Sequence, residues 1–266
     1  MTEREWIAPA ELAGMDSAVF IDCRFSLPDP GAGRAAYLAG HIPGAHYLAL
    51  DSDLSATPAE HGGRHPLPAP GRFAATLAAI GVGAGTPVVA YDDSGLAFAA
   101  RLWWMMRSLG FRPPRLLKGG YRAWLAGGGV PETAIPEAIP VPALPVTDYR
   151  GLVDISGVRA ALGRGAALVD SREEQRVLGR EEPLDPVAGH IPGAVNRPWT
   201  GVTDGSGTLL DEAGLRRHLD GLDADELVVY CGSGVTACVN LFALAQVGRE
   251  DAVLYGGSWS DWCSWM

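Results

Sequence analysis

Residues 226–246 read "ELVVYCGSGVTACVNLFALAQ". The apolar run up to Tyr230 has no polar alternation, which predicts a strand buried on both faces, and the stretch 234–248 has helical length. Between them lies a turn with Gly232 and Gly234, where the backbone can take angles closed to other residues. A strand running through a tight turn into a helix is the building block of a parallel sheet covered by helices. Residues 87–110, "PVVAYDDSGLAFAARLWWMMRSLG", repeat this block with Asp92 at the position of Cys231.

Three further blocks recur in the same order. "VFIDCR" (19–24), "GHIPGA" (40–45) and "RLLKGGYRAW" (115–124) in the first half answer to "ALVDSR" (167–172), "GHIPGA" (189–194) and "AVLYGGSWSDW" (252–262) in the second. Ordered recurrence at similar spacing predicts two copies of one α/β design, each a parallel sheet flanked by helices on both faces. Between the copies, "PETAIPEAIPVPALPVTDYR" (131–150) contains five prolines. These remove backbone donors and favour an extended, semi-rigid connection. The expected organisation is a first domain over 1–130, a linker over 131–150 and a second domain over 151–266.

The formal charge of -10 over 266 residues is spread without an acidic tail, and no basic stripe is present to follow a nucleic-acid backbone. The opening "MTEREWIAPAELAG" has no basic leader followed by an apolar run, and no stretch approaches the length of a membrane helix, so a cytoplasmic protein without a membrane partner is expected. Four cysteines without a CxxC pair predict reduced thiols, with no structural metal.

Cys231 stands where a buried strand ends and a helix begins, the place where open parallel sheets gather reactive groups. Successive N–H groups of a glycine-rich turn, together with the positive end of the helix dipole, stabilise an anion at the sulfur, and the thiolate is the reactive form of cysteine. Cys23, Cys238 and Cys263 lie within apolar or helical patterns and read as small buried hydrophobes. A cysteine phosphatase would need an arginine six residues after its cysteine, and that position is Ala237. A loop of small side chains from Cys231 to Thr236 suits a compact sulfur species instead.

With these motifs the chain resembles the two-domain rhodanese family of sulfurtransferases. "CGSGVTAC" is similar to its 3-mercaptopyruvate branch, since thiosulfate-preferring relatives carry basic residues after the cysteine. The resemblance implies two tandem rhodanese-like domains. In it Cys231 takes a sulfur atom as a persulfide and passes it to a thiol such as thioredoxin, or to cyanide, without a cofactor. It implies that the N–H groups of Gly232, Ser233, Gly234, Val235 and Thr236 cradle the outer sulfur, and that the first copy, with Asp92, is silent. It also implies a serine-histidine-aspartate set of Ser233, His65 and Asp51, with Asp53 competing for the last place. Two arginines are expected to bind the donor carboxylate. Arg176 matches the first, Leu184 falls where the second belongs, and Arg180 lies nearby.

Other polar residues read as structural. His41 and His190 occur in both "GHIPGA" blocks and therefore shape a turn, while Asp22 with Arg24 and Asp170 with Arg172 read as pairs at strand ends. His61 and His65 are separated by Gly62 and Gly63, which argues against a helix face that binds metal. Trp103, Trp104, Met105 and Met106 are expected to fill the first core, and Trp259, Trp262 and Trp265 to pack near the end of the second. Three functions stay open: transfer from 3-mercaptopyruvate, transfer from thiosulfate, and a rhodanese-like binding module without catalysis.

Overall fold

The computed structural model describes residues 4–15 and 17–266; residues 1–3, part of the opening stretch read for a leader, and residue 16 lie outside them. The chain divides into two units. One comprises residues 1–56, 68–150 and 205–209, and the other residues 57–67, 151–204 and 210–266. Residues 57–67, which the repeat pattern placed with the first copy, therefore pack with the second.

The first unit contains β1 (Trp6–Ile7), β2 (Val19–Asp22), α1 (Pro30–Ala39), β3 (His46–Tyr47), α2 (Pro70–Ala79), β4 (Val88–Tyr91), α3 (Ala99–Ser108), β5 (Arg115–Leu117) and α4 (Gly120–Ala126). Its five strands form one sheet in the order β1-β5-β4-β2-β3, and every pairing is parallel. All four residues of β4 are buried, as the unalternated "VVAY" predicts. Trp103, Met105 and Met106 of α3 are fully buried and Trp104 nearly so, which confirms their place in the core.

The second unit contains β6 (Leu152–Val153), α5 (Ile155–Gly163), β7 (Ala167–Asp170), α6 (Glu174–Val177), β8 (Val195–Asn196), α7 (Glu212–His218), β9 (Leu227–Tyr230), α8 (Ala237–Gln246), β10 (Val253–Tyr255) and α9 (Ser258–Cys263). The order β6-β10-β9-β7-β8, again all parallel, repeats the first sheet strand for strand. Leu168, Val228, Tyr230 and Tyr255 face a core shared with α5 and α9. Side chains alternate across a strand, so Leu227 and Val229 face the other way, where α8 packs against β9 and β10. Both faces of the sheet are thereby covered, and α8 begins at Ala237, later than its pattern suggested, because residues 231–236 are spent on the turn.

Each "GHIPGA" block is pinned in the same way. Arg24 binds Asp22 at 2.6 Å and donates to the Gly40 carbonyl at 2.7 Å; Arg172 binds Asp170 at 2.7 Å and donates to the Gly189 carbonyl at 2.7 Å. His41 lies buried with Nδ1 against the Tyr37 carbonyl, and His190 Nδ1 meets the Val177 carbonyl. The structural reading of these residues holds. The proline-rich segment runs without helix along the first unit, held by a bridge between His41 and Glu132 and by the Val141 amide on the Ala78 carbonyl. No helix among the described residues is long and apolar enough to cross a membrane.

Candidate active site

Cys231 follows directly on β9, the middle strand of the second sheet, and is 2 % exposed. Its backbone is fixed from α9: the Cys231 amide donates to Ser258 Oγ at 3.1 Å, and its carbonyl accepts from the Trp259 amide at 3.0 Å. Ser258 takes φ +56°, one of two non-glycine residues in the left-handed region among those described. Such a conformation costs on the order of 1–3 kcal/mol. It lets the buried Ser258 hydroxyl donate to the Tyr255 carbonyl at 2.9 Å while accepting from Cys231.

The loop then curls at Gly234, φ +74°, where a Cβ would lie 2.2 Å from the Gly256 carbonyl oxygen. This position requires glycine. Ser233, Val235 and Ala237 are buried, and their amides donate to no carbonyl or side chain among the described residues. Buried amides are nearly always satisfied, so three together call for an acceptor.

The first unit contains one. Asp92, at the matching place after β4, receives four backbone N–H groups: Ser94 at 2.8 Å and Leu96 at 3.1 Å on Oδ1, Phe98 at 2.9 Å and Ala99 at 3.0 Å on Oδ2. Counting from Cys231, the first three correspond to Ser233, Val235 and Ala237. The same loop therefore wraps a carboxylate in one unit and surrounds a cysteine in the other. Of the amides anticipated over Gly232 to Thr236, those of Ser233 and Val235 belong to this trio, and Ala237, the first residue of α8, lies just beyond that span.

Residues 57–67 bring a histidine and an arginine to this loop. His61 Nδ1 meets Ser264 Oγ at 2.8 Å, and its ring stacks on Trp265 at 3.7 Å between centroids. The Gly62 amide donates to Asp261 at 2.7 Å and the Arg64 amide to Ser260 Oγ at 3.1 Å. His65 Nδ1 then lies 2.8 Å from Ser233 Oγ. The serine and histidine of the expected set are thus paired within one unit. Asp51 is an exposed turn residue of the first unit, while Asp53 accepts the Ala49 amide at 2.8 Å and so caps that turn.

Arg176 and Arg64 converge over the loop. A Cβ on Gly232 would lie 3.1 Å from Arg64 Nη2 and 3.4 Å from Arg176 Nη1. Arg176 reaches Glu182 at 2.7 Å and Asp185 at 3.0 Å, and its buried Nε has no hydrogen-bond partner among the described residues. Arg64 pairs with the other oxygen of Asp185. Burial first, and then the Arg176 charge, lowers the Arg64 pKa from its ordinary value. Leu184 is 49 % exposed, and Arg180 is exposed. Sequence reasoning missed Arg64, which sits next to a histidine read for its own sake.

The other thiols differ. Burial, with Asp22 and Asp92 adding to it, pushes the Cys23 thiol well above its usual value, and burial also raises Cys263. Cys238 donates to the Gly234 carbonyl at 3.5 Å inside α8. All four cysteines are free.

The sequence model of the Rhodanese-like domain matches residues 9–127 and 155–264. A Pseudomonas aeruginosa protein named "Probable 3-mercaptopyruvate sulfurtransferase" is 46 % identical over 250 residues, 91 % of this chain and 88 % of that protein. A Mycobacterium tuberculosis protein named "Putative thiosulfate sulfurtransferase SseB" is 42 % identical over 268 residues, 97 % of this chain and 93 % of that protein. The solved structure of a 3-mercaptopyruvate sulfurtransferase from Leishmania major superposes with a TM-score of 0.88 at 31 % identity, covering 98 % of this chain and 75 % of that one.

Proposed function

From the rhodanese family, to which this chain belongs over both of its halves, we propose a sulfurtransferase that moves sulfur from 3-mercaptopyruvate through a persulfide on Cys231. The carrying observation is the trio of unpartnered amides around a strand-end cysteine, whose counterparts in the first unit hold a carboxylate.

The Cys231 thiolate attacks the donor sulfur, forming the S–S bond as the donor C–S bond breaks. The departing electron pair becomes the enolate of pyruvate, which takes a proton to give pyruvate. Ser233 Oγ, 2.8 Å from His65 Nδ1, supplies that proton, with the imidazole replenishing it. The amides of Ser233, Val235 and Ala237 hold the charge that the outer sulfur carries once its own proton has passed to the imidazole, which makes good the one given to the enolate. Attack on that outer sulfur by a thiol such as thioredoxin, or by cyanide, releases the product and restores the Cys231 thiolate. Arg176 binds the donor carboxylate through its fork. Asp51 enters as the orienting carboxylate on the resemblance alone. A location in the cytoplasm rests on the four free thiols.

Thiosulfate is the competing donor, favoured by Leu184 in place of a second arginine. Mixing the protein with each donor and reading intact mass tests both. The expected result is one added sulfur atom on the Cys231 peptide, with stoichiometric pyruvate from 3-mercaptopyruvate and slower loading from thiosulfate. No sulfur added from either donor overturns the reading in favour of a binding module.

A further inference from the structure

Sequence reasoning assigns Arg64 no role beside its neighbour His65, yet its guanidinium approaches the cysteine loop at Gly232 together with that of Arg176. We infer that Arg64 is the second carboxylate-binding arginine of the donor site, supplying from residues 57–67 the charge that Leu184 does not. The inference rests on the proposed 3-mercaptopyruvate reading and names a residue for its specificity.

Three observations carry it. First, Asp185 binds Arg64 through Oδ1 and Arg176 through Oδ2, so one carboxylate, itself 1 % exposed in its side chain, sets both guanidiniums at a common spacing. Asp185 follows Leu184 directly. Arg64 is therefore anchored one residue away from the position where the second arginine was expected. Secondly, Arg64 Nη2 and Arg176 Nη1 both come within 3.4 Å of a single point above Gly232 Cα, the residue after the nucleophile. A carboxylate separated from the transferred sulfur by two carbons lies close to the sulfur, so a fork beside the cysteine is where it must be met. Thirdly, the acids near the pair are already shared. Glu182 accepts from both Arg172 and Arg176, leaving Asp185 to two arginines, and only 30 % of the Arg64 side chain is exposed. With Asp170 on Arg172, three arginines meet three carboxylates, so what the pair offers an anion is the side-by-side placement of two guanidiniums, felt in the Arg64 pKa, which burial first and then the Arg176 charge lower.

The segment that places Arg64 is rigid by construction. Gly63 takes φ +80° with its Cα so close to the Gly257 carbonyl that a Cβ would lie 2.4 Å from it, and the Arg64 amide is tied to Ser260 Oγ. Arg64 is then presented from fixed backbone, which is what a specificity contact needs.

The test compares 3-mercaptopyruvate with 3-mercaptopyruvamide, the same donor with its charge removed, in the wild-type protein, Arg64→Gln, Arg64→Lys and Arg64→Gln/Leu184→Arg. Losing a charge-assisted fork should lower kcat/KM for the acid by about 30-fold in Arg64→Gln, mainly through KM. The amide donor should change by less than about 3-fold, because it never used the charge. Arg64→Lys keeps the charge without the fork and should fall between, about 5-fold down on the acid. It also stands in if the glutamine variant does not fold. Leu184→Arg in the double variant should recover about 10-fold on the acid. Equal losses on acid and amide would make Arg64 a structural residue and overturn the inference, as would an unchanged acid rate in both single variants. A wild-type protein that loads sulfur from neither donor would instead bring down the proposed function, and that outcome is read before any variant is made.

Discussion

The loop after β4 and the loop after β9 have the same backbone plan and opposite contents. In the first, Asp92 fills the curl with its own carboxylate and takes four N–H bonds of 2.8 to 3.1 Å. In the second, Cys231 brings a sulfur, and three buried amides are left for what the sulfur acquires. The backbone strain differs as well. The left-handed non-glycine residue of the first copy is Leu96, φ +72°, inside the loop and bonded to Asp92; that of the second is Ser258, φ +56°, behind the loop and bonded to the Cys231 amide. At the Ser258 position the first copy has Gly120, φ +63°, where a Cβ would lie 2.0 Å from the Asp92 carbonyl. One loop is strained in order to close on its own side chain. The other is held open from outside.

Removing the sulfur should have the largest effect. Cys231→Ser is expected to lower sulfur transfer by at least about 10³-fold and to leave no persulfide in the intact mass. Activity near that of the wild type would place the nucleophile elsewhere and end the comparison. Next comes the filled loop. Asp92→Ala leaves buried amides without an acceptor, at a cost of about 2–3 kcal/mol, so Tm measured by scanning calorimetry should fall by about 5–10 °C. A fall below about 1 °C would mean that the carboxylate is not what closes the first loop.

Making the second loop copy the first is a finer test. Cys231→Asp should abolish transfer but raise Tm by about 2–4 °C, as the carboxylate meets the amides of Ser233, Val235 and Ala237 beside Arg64 and Arg176. A lowered Tm would show that the two loops do not offer the same cradle. The smallest effect belongs to the other thiols. Cys23→Ser and Cys263→Ala should keep kcat/KM within about 2-fold, since burial raises both thiols and disfavours their reactive thiolate form. A tenfold loss in either would call for a second sulfur carrier.

Much of the fold could be read from local pattern, because a strand buried on both faces, a glycine turn and an apolar helix each leave a mark within a few residues. β9, Cys231 and α8 were legible for that reason, as were the paired Asp22–Arg24 and Asp170–Arg172 ends that recur in both copies. The fate of residues 57–67 was not. "TPAEHGGRHPL" has no hydrophobic period, and its position is decided by Asp261, Ser260, Ser264 and Trp265, about 200 residues away in sequence. Arg64 was lost for the same reason, since an arginine in a glycine-rich loop has no local sign of a buried partner such as Asp185. Trp265 packs as its pattern suggests, but half-exposed and against the His61 ring, a partner its own neighbourhood does not announce.

That stacking has a consequence for how the protein is made. The ribosome delivers His61, Arg64 and His65 early, but the residues that seat them, Ser260 to Trp265, are translated about 200 codons later. Until then the histidine has no fixed place beside Ser233, which has itself only just been made. Assembly of this arrangement therefore waits until Ser260 to Trp265 have been made. A nascent chain stalled before Ser260 would carry Cys231 without the residues that seat Arg64 and His65 beside its loop.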